Sequence, residues 1–203
     1  MIDQKVIDSA LSYEEYLKQM KEMSENKQTS GAEQTKELIE YTKLNFSRMR
    51  RLNKTIEVNS KLQKALNDCK EPMVWLVITE SWCGDAAQNI PLFNKLAESK
   101  DCISLRLIYR DENLEIMDQF LTNGGRSIPK LIALRKSDLK VLGSWGPRAE
   151  KGQEMVAELK KDESLSHEDL VKEIQLWYTK DKTQSQQKEM TAAIKRWQKE
   201  SSK

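Results

Sequence analysis

Six consecutive apolar residues, Met73 to Ile78, with a cysteine five positions further on, constrain this chain more than any other stretch. The run is rich in branched side chains and bounded by Glu71-Pro72 before and polar residues after, so it reads as a strand buried on both faces. Thr79 to Ser81 then leads through Trp82-Cys83-Gly84-Asp85 into a helix. Cys83 falls at the start of that helix, where the first N–H groups lack internal partners and the dipole is positive. A thiolate is stabilised at such a place.

The remaining pattern is mostly helical. Leu11, Tyr13, Tyr16, Leu17 and Met20 form a stripe over residues 9 to 24, with Ser12 placed to cap and Glu15 three residues on. Ser24 to Gln34 is a polar connector, and a long helix is predicted from Ala32 to Lys54, its Arg48, Arg50 and Arg51 read as a solvated face. Asn59 or Ser60 caps a helix to Asp68. Pro91 lies inside the Cys83 helix and bends it. Cys102 to Tyr109 alternates and is expected as a strand parallel to the first. A helix holding Leu114 to Leu121 stops at Asn123-Gly124-Gly125. Pro129 to Leu134 and Leu139 to Trp145 make an antiparallel hairpin. Arg148 to Lys160 and residues 167 to 199 are helical, with a break expected in Thr179 to Gln187, which has no apolar residue.

Several separate points of spacing carry a family resemblance. Trp82-Cys83-Gly84, Pro91 eight residues beyond the cysteine, and Ser127-Ile128-Pro129 opening a later strand together resemble the thioredoxin fold. Arg48 to Thr55, Ile78 to Gln88, Arg110 to Asn113, Thr122 to Lys130 and Trp145 to Arg148 are similar, more narrowly, to a little-studied bacterial branch of thioredoxin-like proteins with Trp-Cys-Gly-Asp-Ala in place of the two-cysteine motif. The resemblance covers residues 35 to 160. It implies an α/β fold, a four-stranded mixed sheet sandwiched by helices, with Thr55 to Val58 the candidate for a fifth short strand. The chain then divides into an N-terminal helical extension (1–55), a thioredoxin-like domain (56–162) and a C-terminal helical extension (163–203).

The chemistry turns on what stands three residues after Cys83. In a two-cysteine site the second thiol releases the mixed disulfide formed by the first, but here that position is Ala86. Cys69 precedes the Met73 strand and Cys102 opens the next, so both belong at the opposite pole, about 23 Å of strand away. Neither can reach Cys83; they are read as small residues at the foot of the sheet, or as neighbours of each other. Cys83 is left with mixed disulfides resolved by an external thiol, or oxidation to a sulfenic acid. Glu80 and Asp85 oppose its ionisation and Arg126 is expected to approach and offset them, giving a pKa modestly lowered at most.

The resemblance implies that Ile128-Pro129 is cis, faces the cysteine and offers the preceding backbone to an extended peptide. Cys83 is the expected nucleophile, and Trp82, Gly84, Asp85, Ala86, Arg126, Ser127, Ile128 and Pro129 are the expected substrate-binding residues. The function so implied is a one-cysteine thiol-disulfide oxidoreductase acting on protein or small-molecule thiols and disulfides. The alternative is a non-catalytic peptide- or protein-binding module using the same groove.

Composition excludes more than it assigns. Charged residues make up 33% and hydrophobic ones 38% at a net charge of +2, with both signs interspersed, so nothing suggests a nucleic-acid groove. No stretch is long enough to span a bilayer, and the N-terminus is too weakly apolar for a secretory signal. An odd count of cysteines in no paired pattern favours a reducing cytoplasm. One histidine and three scattered cysteines give no zinc spacing, the Cys-Gly-Phe-Ser pattern of iron-sulfur monothiol proteins is absent, and no cofactor is expected. Trp177, Met190, Ile194 and Trp197 pack on their own domain or form a homodimer surface, leaving monomer and homodimer both open.

Overall fold

The computed structural model describes residues 2–202. Four strands, β1 (Met73–Thr79), β2 (Ile103–Tyr109), β3 (Lys130–Arg135) and β4 (Val141–Trp145), form one mixed sheet in the order β2-β1-β3-β4. Every residue of β1 is buried, which is why its sequence is a continuous apolar run rather than an alternating one. It pairs in parallel with β2, Trp75 opposite Leu105, and antiparallel with β3, Leu76 opposite Ile132. The β3–β4 hairpin carries an irregularity between Ala133 and Leu134.

Nine helices surround this sheet among the described residues: α1 (Gln4–Ser9), α2 (Tyr13–Asn26), α3 (Lys36–Thr55), α4 (Ser60–Asn67), α5 (Gly84–Glu98), α6 (Leu114–Met117), α7 (Glu150–Leu159), α8 (His167–Asp181) and α9 (Gln184–Ser201). Their starts follow side-chain chemistry. Ser12 accepts from the Glu15 N–H while the Glu15 carboxylate accepts from the Ser12 N–H, closing a capping box on α2. Thr35, Asn59 and Ser166 cap α3, α4 and α8 in the simpler way. Because Thr35 supplies that cap, α3 begins at Lys36 rather than at Ala32. Pro91 sits inside α5. Lys182 and Thr183, both at positive φ, separate α8 from α9 inside the stretch that has no apolar residue.

Three sequence expectations need correction. Thr55 to Val58 adds no fifth strand: Thr55 ends α3, Ile56 caps it, and both Ile56 and Val58 pack into the core. The free edge of β2 is met instead by Leu11, which exchanges two backbone hydrogen bonds with Leu107 at 2.9 and 2.8 Å. The helix expected to reach Leu121 is the four-residue α6. Ile116 and Met117 are buried there, but Asn113 gives no side-chain cap, and Thr122 and Gly125 close a tight turn by exchanging bonds at 2.9 Å, leaving Leu114 and Leu121 exposed. Finally, Cys69 and Cys102 are not separate small residues but a disulfide, Cα to Cα 6.7 Å. Parallel pairing of Met73 with Ile103 brings the entries of β1 and β2 side by side, and the Met73 N–H donates to the Cys102 carbonyl at 2.7 Å. Disulfide reach follows from that adjacency.

The C-terminal helices are part of the same core. Met190, Ile194 and Trp197 of α9 are fully buried, Trp197 packing edge-on against Trp75 of β1 at 5.9 Å. Trp177 of α8 is half-buried against Gly152 of α7, where a Cβ would lie 2.8 Å from the indole. These side chains are engaged within their own chain.

Candidate active site around Cys83

The carboxyl end of β1 delivers the chain through Glu80-Ser81-Trp82 to Cys83, the N-cap of α5. The sulfur accepts from the Ala86 N–H at 3.4 Å and donates to the Ile128 carbonyl at 3.4 Å. The Ile128-Pro129 bond is cis, as is Gly146-Pro147. Gly146, at φ +119°, rests on the Pro129 carbonyl with no room for a Cβ, so the β4 exit loop packs against the bend that faces the sulfur. One free thiol, one helix end and one carbonyl thus meet at a single point.

The sulfur is not poised as the sequence suggested. Cys83 is only 7% exposed, and burial pushes its thiol up to about 12, with the Asp85 charge adding to the rise. The N–H groups of Ala86 and Asp85 and the charge of Arg148 pull the other way without offsetting it. The expected modest lowering is therefore reversed. Burial in a low-dielectric setting outweighs the helix end.

Arg126, expected near the sulfur, turns away. Its guanidinium forms a two-pronged pair with Asp118, at 2.6 and 2.9 Å on the exposed side of the loop. The cation acting on Cys83 is Arg148, whose Nε and Nη2 donate to the two Asp85 oxygens at 2.7 and 2.5 Å. The phenol of Tyr178 also donates to Asp85 at 2.8 Å, while the Asn89 amide donates to the phenol at 2.9 Å. Burial raises the Asp85 carboxyl above its ordinary value and Arg148 only partly counters it. Burial likewise pulls Arg148 down, but Asp85 more than reverses this and holds it up. The two shifts express one coupling, and the bidentate geometry with a third donor decides for an ionised pair at neutral pH. Glu80, expected to oppose the thiolate, is committed elsewhere: the Ser30 hydroxyl donates to one oxygen and the Asp111 N–H to the other at 2.9 Å. Burial raises its pKa too.

The other predicted residues divide into two groups. Trp82 is half-buried with Arg110 over its ring at 5.0 Å, and with Cys83, Gly84 and Asp85 it lines a cavity of about 530 Å³. Leu38, Tyr41 and Arg48 of α3 form one wall of that cavity and Ile174 and Gln175 of α8 another. Ala86 is buried beneath the sulfur. Arg126, Ser127, Ile128 and Pro129 lie on the far side of Cys83 and line none of it. The open space beside the thiol is therefore between α3 and α8.

Sequence reasoning missed Arg48, Arg148, Tyr178 and Gln175. Arg48, read as part of a solvated face, is half-buried, and burial with the nearby Arg51 pulls it below its ordinary value. Both arginines lie inside segments that carried the family resemblance, a signal that could have found them. Tyr178 and Gln175 lie beyond residue 160, where no such signal existed. Among the described residues, no group of three or more His, Cys, Asp or Glu is placed to hold a metal ion, and no helix is long and apolar enough to cross a membrane.

A family model described as Thioredoxin matches residues 31–160. The crystal structure of a protein of unknown function from Pseudomonas aeruginosa is similar over 96% of this chain and 98% of its own, at 15% identity and a TM-score of 0.65. An HIV epitope-scaffold structure is similar over 94% of this chain and 96% of its own, at 15% identity and a TM-score of 0.61. At such identity these likenesses concern the fold alone, over nearly the whole length. No curated protein matches the chain.

Proposed function

Because the chain belongs to the thioredoxin family, whose model spans residues 31–160, we propose that it is a one-cysteine thiol redox protein with Cys83 as its nucleophile. The observation that carries this reading is the position of the sulfur, between the Ala86 N–H and the Ile128 carbonyl and at the edge of a cavity. Once deprotonated, Cys83 attacks a disulfide R–S–S–R′; the Cys83–S–R bond forms, R′S⁻ leaves, and it takes up the proton that Cys83 gave to solvent. A second small thiolate R″S⁻ then attacks the R sulfur, releasing R–S–S–R″ and restoring the Cys83 thiolate. That second thiol comes from outside, since Ala86 cannot supply it and Cys69 and Cys102 are paired with each other at the opposite pole.

The residues have distinct parts in this reading. The N–H groups of Asp85 and Ala86, with Gly84, stabilise the thiolate as it forms, and the Ile128-Pro129 bend with Ser127 and Trp82 holds the substrate chain. Protein or small-molecule thiols and disulfides are the partners. A second reading, a binding module that keeps the fold without the redox step, is favoured by the thiol's rise to about 12.

One measurement separates the two. Folded protein at pH 8 is exposed to an aromatic disulfide and the released aromatic thiolate is counted, for wild type and Cys83→Ser. One equivalent from wild type and none from the variant supports the redox reading. No release from folded wild type, against one equivalent after denaturation, sinks it and leaves the binding module.

A further inference from the structure

We propose that the cavity between α3 and α8 binds a small organic acid with an apolar body, its carboxylate held by the Arg48 guanidinium. The inference does not require Cys83 to be reactive; it rests on the cavity and its charges.

Arg48 donates from Nη1 to the Asn45 side-chain oxygen at 2.9 Å and makes no ion pair among the described residues. The contrast with its neighbours is direct. Arg148 has its fork filled by Asp85, Arg126 by Asp118, and Arg110 pairs with Asp111. A half-buried guanidinium with free donors, opening on a cavity, is suited to a carboxylate, which it meets with two parallel N–H bonds. Its Nη1 comes to 3.7 Å from the point a Cβ on Gly84 would occupy, at the first residue of the fifteen-residue α5. The positive end of that helix adds to the field felt there, and the Gln175 amide nitrogen, 3.0 Å from the same point, shares that end of the cavity with the guanidinium.

The rest of the lining suits the body of such a molecule. Leu38, Tyr41, Trp82, Leu170, Val171 and Ile174 supply apolar and aromatic walls, and about 530 Å³ falls within the range of small-molecule pockets. Lys160 and His167 stand at the exposed rim, as do Glu33 and Glu37. Of the three carboxylates that line the cavity, Glu33 and Glu37 are the two at the rim, and Asp85, at the inner end, is already neutralised by Arg148. The inner end is thus cationic and the middle apolar, an arrangement that favours an amphipathic anion over a cation or a neutral chain of equal length.

The test uses the full chain and three eight-carbon probes, octanoate, octanol and octylammonium, titrated calorimetrically at pH 7. Octanoate is expected to bind at least about tenfold more tightly than octanol, the effect of a charge-assisted hydrogen-bond pair, and octylammonium more weakly than either. Arg48→Gln should bring octanoate down to the affinity of octanol, while Arg50→Gln, an exposed arginine on the same helix that lies over Phe46, should change nothing. Equal affinity for octanoate and octanol, no binding of any probe, or an Arg48→Gln protein that keeps the preference would each overturn the proposal. Should Arg48→Gln fail to fold, the ranking of the three probes on wild type decides by itself, and Arg48→Lys reports whether the guanidinium fork is needed. A negative result here leaves the aromatic-disulfide assay of Cys83 unaffected, so the two readings fail separately.

Discussion

A thiol with a pKa of about 12 is ionised at pH 7 in about one molecule in 10⁵, and that number governs Cys83. Its alkylation by a small haloacetamide should rise tenfold per pH unit up to at least pH 9.5 without a plateau. At pH 7 it should run about a thousandfold slower than an ordinary solvated thiol of pKa near 9; a plateau below pH 8 would show that the sulfur is not held as described. The same shift has a stability consequence. With the folded-state pKa above the unfolded value, the neutral thiol favours the fold fully below about pH 9 and this contribution is lost as pH rises through 12. Asp85→Asn tests the neighbouring charge. It removes the anion that raises the thiol pKa and frees Arg148, so Cys83 should be alkylated faster at pH 8. It also leaves a guanidinium only 20% exposed without its carboxylate, at a cost of about 3 kcal/mol in urea unfolding. Faster alkylation without destabilisation, or the reverse, would separate two effects that the geometry ties together. The cysteine and its glycine at the head of the helix were legible from spacing, and the Ile128-Pro129 bend from the family resemblance. The sign of the pKa shift was not, because it depends on how many atoms from distant helices surround the sulfur.

Among the elements, α5 and α8 are joined through one phenol. Tyr178 donates to Asp85 and accepts from Asn89, so α8 is fastened to the first turns of α5 directly beside the cysteine. Tyr178→Phe keeps the ring and deletes the hydroxyl, leaving a buried carboxylate short of one donor. A loss of about 1.5 to 3 kcal/mol is expected, with faster amide exchange concentrated in α8; unchanged stability would mean that the phenol is not engaged. The starts of α2 and α4 could be read from Ser12, Glu15 and Asn59, because a cap is a local bond between residues three apart. The length of α6 could not, since Leu114 to Leu121 has helical spacing but the chain turns out of the helix at Asp118 to close the Thr122–Gly125 turn. The short α1 carried too little periodicity to register.

Across the whole molecule, one covalent link and one hydrophobic core tie the ends to the centre. The Cys69–Cys102 disulfide closes a loop of 33 residues in sequence separation, and the chain-entropy account assigns it about 3 to 4 kcal/mol. Reduction should lower the urea midpoint accordingly while leaving the Cys83 alkylation rate in the folded protein unchanged, since the two sites occupy opposite poles of the sheet; equal midpoints would deny the bond a role in stability. The sequence by itself determined the central strand, the helix that starts at the cysteine, the order of the sheet-forming segments and the absence of a second thiol near Cys83. All of these are matters of local periodicity and short spacing. Tertiary structure alone decided that Arg148 rather than Arg126 faces Asp85, that Arg48 opens on a cavity instead of solvent, and that the sulfur is buried enough to stay protonated. Charge and burial depend on residues that meet only after the chain has packed, with α3, α8 and the loop after β4 arriving at one point although Leu38 and Gln175 stand 137 residues apart in sequence, a meeting that no window of neighbouring residues contains.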